Sequence, residues 1–176
     1  MRWLVQTAFA LIPLLGFAPG SAQAMDYSPA TKAQIDVDTD ATLSALYTSY
    51  PGSKDIMARA AGVLVFPEPS FIVGGQHGGG ELRVGGQTVG YYSTGGLEDG
   101  PRKHAMAVAF MTKDALQRFQ ASDGWDVSAD GSVAVVKSGA EGKASQTDKP
   151  VQVFIYHNQD QTGVAALQGT KITKVD

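Results

Sequence analysis

Residues 81–92 read ELRVGGQTVGYY, and this stretch decides the class of fold. Two runs that contain β-branched and aromatic residues flank the pair Gly85-Gly86, and glycines readily adopt the positive φ angles of a two-residue hairpin turn. The stretch therefore predicts two adjacent antiparallel strands. The whole chain contains 21 glycines, 8 prolines and no cysteine, a composition that favours a β-rich fold with many tight turns.

Further strands are predicted after this hairpin and before it. The pair Asp130-Gly131 is a second turn signal, and it predicts a hairpin between residues 125–129 and 132–136. The polar stretch 137–149 is interpreted as a long exposed loop. The remaining short apolar runs that we interpret as strands are residues 63–66, 71–73, 105–111, 151–156, 163–167 and 171–175.

A first helix is predicted to begin at Ser28-Pro29, because serine is a favoured N-cap and proline is favoured at the first helical position. The helix is expected to run to Tyr50, since Pro51-Gly52 follows and would end it. Residues spaced i, i+3, i+4 and i+7 share one helix face. The apolar residues with this spacing are Leu43, Leu46, Tyr47 and Tyr50.

Two shorter helices are predicted over residues 54–61 and 113–122, with Thr112 as the cap of the second. Together with the strands they give an α+β fold. We expect a single domain in which an antiparallel β-sheet with β-hairpins packs against about three helices.

Residues 1–24 read MRWLVQTAFALIPLLGFAPGSAQA and have the parts of a secretory signal peptide. Arg2 supplies the positive charge, an apolar run follows, and Ala22-Gln23-Ala24 is a small-x-small cleavage site. The apolar run is shorter than the ~20 residues that span a bilayer. We therefore expect cleavage after Ala24, which would leave residues 25–176 as one periplasmic or secreted domain. Because Arg2 is the only charged residue of the segment, cleavage would change the formal net charge from -3 to -4.

Composition and motifs argue against several classes of function. The acidic net charge disfavours a nucleic-acid-binding domain, and the absence of cysteine removes thiol nucleophiles, disulfides and thiolate metal sites. His77, His104 and His157 do not have the spacing that places two metal ligands on one helix face. No serine lies in a G-x-S-x-G nucleophile elbow. We therefore expect no catalytic residue, no metal and no cofactor.

An acidic run near the start of the first predicted helix invites a calcium-loop interpretation. Asp36, Asp38 and Asp40 have the alternation that opens an EF-hand loop. The pattern then requires glycine at position six and glutamate at position twelve, where this chain has Ala41 and Tyr47. We therefore interpret the acidic residues as part of a solvated face or as residues that favour a helix N-terminus.

Several stretches in a fixed order resemble the SYLF domain, a lipid-binding domain of bacterial secreted proteins and of eukaryotic endocytic adaptors. No single motif decides the match, and its specificity comes from the order of the motifs over nearly all of residues 41–176. The stretches are 61–67 (AGVLVFP), 73–76 (VGGQ), 86–94 (GQTVGYYST), 111–116 (MTKDAL), 121–127 (ASDGWDV), 130–134 (DGSVA) and 169–174 (GTKITK).

The resemblance implies a non-enzymatic, membrane-associated binding domain. Eukaryotic SYLF domains bind phosphoinositides with the help of an amphipathic N-terminal helix, and some bind actin. The chain is shorter than the bacterial pattern at residues 67–74 and 94–105. Arg102 and Lys103 form its densest basic cluster and are the expected headgroup contacts. The candidates for insertion into lipid are Leu43, Leu46, Tyr47 and Tyr50, and the alternative use of this helix face, which we favour, is packing onto the sheet.

Two alternatives remain beside a lipid- or envelope-binding module. The first is an interaction or structural module whose partner is another envelope protein. The second is an enzyme of unrecognised type, against which the absent motifs argue. Actin binding makes little sense for a chain with a bacterial signal peptide unless the protein meets a host cell.

Overall fold

The computed structural model describes residues 28–67, 78–95, 105–136, 148–156 and 169–175. The predicted signal peptide, the predicted strands 71–73 and 163–167 and most of the predicted loop 137–149 lie outside these residues. The described helices and strands are α1 (Pro29–Ser49), α2 (Ser53–Arg59), β1 (Gly62–Phe66), β2 (Gly78–Val84), β3 (Gln87–Gly95), β4 (Ala105–Phe110), α3 (Lys113–Gln120), β5 (Trp125–Asp126), β6 (Val133–Val136), β7 (Val151–Tyr156) and β8 (Lys171–Val175).

The strands form one eight-stranded sheet in the order β5-β8-β3-β2-β1-β4-β7-β6. The pairings among the described strands are antiparallel except for β6 with β7, which run parallel. This arrangement of helices and sheet confirms the predicted α+β fold. The parallel pair makes the sheet mixed.

The sheet is curled, and chain connectivity explains why. β5 and β6 are its two edge strands, yet only residues 127–132 join them along the chain. Such a segment reaches at most about 25 Å, whereas the edges of a flat eight-stranded sheet lie about 34 Å apart. Curling brings Trp125 of β5 next to Phe110 of β4, with ring centroids 5.8 Å apart.

Apolar residues cover both faces of the sheet. On one face, α3 packs through Leu116 and Phe119 onto Leu64, Leu82 and other buried side chains. On the opposite face, α1 and α2 pack onto a smaller cluster. The buried members of this cluster are Leu46, Ile56, Met57, Val65, Ala107, Ala109, Val136 and Phe154.

The starts of α1 and α3 follow the capping chemistry expected from the sequence. Ser28 Oγ accepts a hydrogen bond from the backbone N–H of Thr31 (3.3 Å), and Thr112 Oγ1 accepts one from the N–H of Ala115 (3.2 Å). These bonds satisfy donors that a helix N-terminus otherwise leaves unpaired. The second helix begins one residue earlier than predicted because Gly52, at φ 93°, is its N-cap.

The first predicted hairpin is present, and the second prediction is wrong. Gly85 and Gly86 (φ 60° and 81°) join β2 to β3, which pair directly. By contrast, β5 pairs with β8 and β6 pairs with β7, so Asp130-Gly131 does not connect neighbouring strands. Asp130 Oδ1 accepts hydrogen bonds from the backbone N–H and the Oγ of Ser132. These bonds form a local turn, but β5 and β6 on either side of it do not pair with each other.

The two turns give a matched pair of substitutions. Gly86→Val is expected to lower the free energy of unfolding by about 1–3 kcal/mol, because a β-branched residue is strained at positive φ. Gly131→Val should change it by less than about 0.5 kcal/mol. Gly131 does not have a positive φ angle, and no described atom lies within 4 Å of a Cβ added at this position. Chemical denaturation of both variants checks this, and equal losses would contradict it.

Candidate functional site

The apolar face of α1, predicted to contact lipid, packs against the sheet. Leu46 is 1% exposed, while Leu43, Tyr47 and Tyr50 are partly buried against the same cluster. The Tyr50 hydroxyl donates to the backbone carbonyl of Ile155 (3.0 Å). These side chains reach a bilayer only if α1 leaves the sheet, so their role in lipid contact stays a prediction.

Arg102 and Lys103, the predicted headgroup contacts, lie outside the described residues. The three histidines, His77, His104 and His157, lie outside them as well. The headgroup contacts predicted for Arg102 and Lys103 therefore remain predictions.

A polar cluster that the sequence analysis did not identify lies between α1 and strands β2 and β3. At its centre is Glu81, a carboxyl group with 0% exposure on the sheet face covered by α1. Thr88 Oγ1 donates a hydrogen bond to Glu81 Oε2 (2.7 Å). Arg83 Nη2 approaches Glu81 Oε1 to 2.6 Å as an ion pair, although Oε1 accepts no hydrogen bond.

The cluster connects the sheet to α1 through one guanidinium group and one phenol. Arg83 Nη1 donates to the Asp40 carboxylate, and Arg83 Nη2 donates to the backbone carbonyl of Asp36 (3.3 Å). The Tyr91 hydroxyl donates to Asp36 Oδ1 (2.9 Å), and Lys32 Nζ lies 5.2 Å from the centre of the Tyr91 ring. We call the whole set the buried-glutamate cluster: Lys32, Asp36, Asp40, Glu81, Arg83, Thr88 and Tyr91.

Regular backbone geometry explains why these residues meet. Side chains alternate between the two faces of a strand, so Glu81 and Arg83 share the α1 face while Leu82 enters the opposite core. Asp36 and Asp40 are four residues apart and therefore lie one above the other on α1. A register shift between Leu82 and Arg83 accompanies the pairing of β2 with β3 there.

The cluster shifts the pKa values of several of its members. Burial, and then a hydrogen bond with the Asp36 side chain, raise the pKa of the Glu81 carboxyl, and the opposing effects of Thr88 and Arg83 are weaker. Burial and the bond to Asp36 also raise the pKa of Tyr91 to about 12. Burial alone would lower the pKa of Arg83, but its hydrogen bond with Asp40 and the charge of Glu81 outweigh burial and raise it.

The buried-glutamate cluster can hold a proton and join a helix to a sheet. It is not arranged to act on a substrate, because its central carboxyl has no exposed surface. Its sequence signal is the pattern Glu81-x-Arg83, two opposite charges in an otherwise apolar strand, together with the Asp36 and Asp40 pair. The sequence alone does not show that the Asp36 and Asp40 pair lies opposite Glu81 and Arg83.

A second feature is a small cleft where the curled edges of the sheet approach each other. It encloses about 80 Å³, well below the ~300–1,000 Å³ of sites for small organic ligands. Its lining residues are Phe110, Ala115, Arg118, Phe119, Trp125, Asp130, Ser132 and Val151.

No protein-family profile and no curated protein sequence matches the chain. Within the parts of the chain that the structure describes, no group of three or more acidic or histidine side chains is placed to hold a metal ion. None of the described helices is both long and apolar enough to cross a membrane.

Proposed function

We propose that the chain is a secreted or periplasmic, non-enzymatic lipid-binding module of the SYLF type, associated with the cell envelope. The observation that carries this proposal is the ordered series of SYLF-like stretches between residues 61 and 174. In support, the described parts of this series coincide with elements of the fold, including β1, β3, α3, β5 and β8.

The described surface favours a lipid contact that depends on apolar side chains more than on charge. Val37 on α1 is 63% exposed and Val89 on β3 is 48% exposed, and each directly follows a member of the buried-glutamate cluster in the chain. Asp38 and Asp40 lie on the same helix as Val37 and would repel anionic headgroups. Each nearby Lys or Arg contributes only about 1 kcal/mol to binding an anionic membrane, so the attraction supplied by Arg102 and Lys103 is small.

Vesicle co-sedimentation of the domain tests the proposal. We expect weak binding to both phosphatidylcholine vesicles and vesicles containing phosphatidylglycerol, with little change between low and high salt, because apolar contact is not screened. Val37→Ser combined with Val89→Ser should reduce the bound fraction. Thr48→Ser, an exposed change on the same helix, should not.

Two results would contradict this proposal. Absence of binding to either vesicle would favour the alternative function, an interaction or structural module with a protein partner in the envelope. Strong binding to anionic vesicles alone, lost in salt and in the Arg102→Ala/Lys103→Ala variant, would show that charge rather than apolar contact provides the affinity.

A further inference from the structure

We propose that the buried-glutamate cluster is a proton-operated latch that holds α1 on the sheet, closed when Glu81 carries a proton and weakened when Glu81 is ionised. The latch would control whether the apolar face of α1 is available. Its effect on lipid contact rests on the function proposed above, while the latch itself rests only on the geometry of the cluster.

Charged and titratable groups from several elements surround Glu81 and its partner Arg83. β1 contributes only an apolar neighbour, since Val65 pairs with Glu81. Thr88 of β3 donates a hydrogen bond and carries no charge. Among the residues that the structure describes, the charged and titratable groups around Glu81 and Arg83 are Lys32, Asp36, Asp40 and Tyr47 from α1 and Tyr91 from β3.

The balance of charge in the cluster differs between the two protonation states of Glu81. With Glu81 protonated, the carboxylates of Asp36 and Asp40 are matched by Arg83 and Lys32. When Glu81 ionises, a third negative charge appears in a site without exposure to water, and Arg83 is already bound to Asp40. Burying a charge that is incompletely paired is unfavourable, so ionisation should weaken the packing of α1.

The added charge affects the contact between α1 and the sheet. Asp36, whose carboxylate raises the pKa of Glu81, also accepts a hydrogen bond from the Tyr91 hydroxyl, and its backbone carbonyl accepts one from Arg83. Repulsion between two carboxylates therefore acts directly between α1 and β2. Release of α1 would uncover Leu46 and its apolar neighbours.

The sign of the pH dependence follows from the raised pKa of Glu81 in the folded protein. The folded state binds this proton more tightly than the unfolded state does. Its contribution to stability is therefore complete below the pKa of an unfolded glutamate and is lost as the pH rises through the folded pKa. Asp130 acts in the opposite sense: burial alone would raise its pKa, but hydrogen bonds from Ser132 and Trp125 outweigh burial and lower it. A local measurement is therefore required.

Hydrogen exchange of the amides of α1 and α3 in the whole protein, between pH 5 and pH 8, tests the latch. Glu81→Gln keeps the shape of the side chain and mimics the protonated form. The comparison at each pH cancels the intrinsic chemistry of exchange, because the α1 sequence is identical. We expect the wild type and Glu81→Gln to exchange the α1 amides at equal rates at low pH, and the wild type to exchange them faster as the pH rises. The ratio of the two rates should approach tenfold for each unit by which the Glu81 pKa differs between the docked and the released α1.

The outcomes separate the latch from its alternatives. Asp114→Asn removes an exposed carboxylate from α3 and should leave the pH dependence of α1 unchanged. If the ratio of α1 exchange rates between the wild type and Glu81→Gln is constant with pH, the proposal is overturned. An equal change of the α3 exchange rates with pH would also overturn it. If Glu81→Gln does not fold, wild-type α1 exchange relative to α3 must still rise with pH. If the exchange result holds while vesicle binding is independent of pH, the latch stands and the proposed lipid role of α1 fails.

Discussion

Replacement of Phe110 by alanine is expected to lower the free energy of unfolding by about 3–5 kcal/mol, the largest loss we predict for a single substitution. Phe110 is fully buried. Its ring stacks on Phe119 of α3 at 4.8 Å and lies 5.8 Å from Trp125 of β5. The side chain therefore joins a helix, a central strand and an edge strand. Its loss removes apolar burial and leaves a cavity that the curled sheet cannot easily close.

Urea denaturation followed by circular dichroism measures this loss without depending on Trp125, whose environment changes in the variant. Val37→Ala provides the control, because Val37 is an exposed apolar residue and its truncation should change stability by less than about 0.5 kcal/mol. A loss below about 1 kcal/mol for Phe110→Ala would show that this aromatic group is not the centre of the core.

Arg83→Met is expected to lower the free energy of unfolding by about 2–3 kcal/mol at pH 8 and by less at pH 5. Methionine keeps the apolar stem but removes the cation that contacts both Glu81 and Asp40. Because Arg83 is 20% exposed at its side chain, we expect less than the full cost of breaking a completely buried pair. At low pH, protonation of Glu81 removes the charge that has lost its partner.

The double variant Glu81→Gln/Arg83→Met should recover part of this stability, since it contains neither buried charge. Arg118→Met is the matched control: Arg118 pairs with Asp114 on the exposed surface of α3, with side chains 66% and 81% exposed. Such pairs contribute at most about 0.5 kcal/mol. Equal losses for Arg83→Met and Arg118→Met would show that the buried-glutamate cluster contributes no more than a surface ion pair.

Local signals in the sequence predicted most of the elements of this fold. Ser28 and Thr112 act as helix caps through bonds to residues three positions later, so both the signal and its effect lie within one turn. Gly85 and Gly86 behave in the same way, because the hairpin turn requires positive φ angles at the glycines themselves. For this reason, the fold class and the approximate boundaries of the helices and strands could be predicted from the sequence.

Contacts between distant residues could not be predicted in the same way. Asp130-Gly131 has the composition of a hairpin turn, but the partner of β5 is β8 and the partner of β6 is β7. The choice among pairings depends on which strands bury most apolar surface together. The buried-glutamate cluster was missed for a related reason: Asp36 and Asp40 suit a solvated helix face until α1 is placed over Glu81 and Arg83.

The position of β8 has a consequence for how quickly the protein folds. β8 inserts between β3 and β5, so the sheet acquires its order only after residues 171–175 have paired with residues 91–95, far earlier in the chain. Loop closure over such separations costs conformational entropy before any contact compensates for it. Domains dominated by distant pairings fold in milliseconds to seconds rather than microseconds. We therefore expect slow folding, with the α1-covered strands β1, β2 and β3 able to associate before β8 arrives.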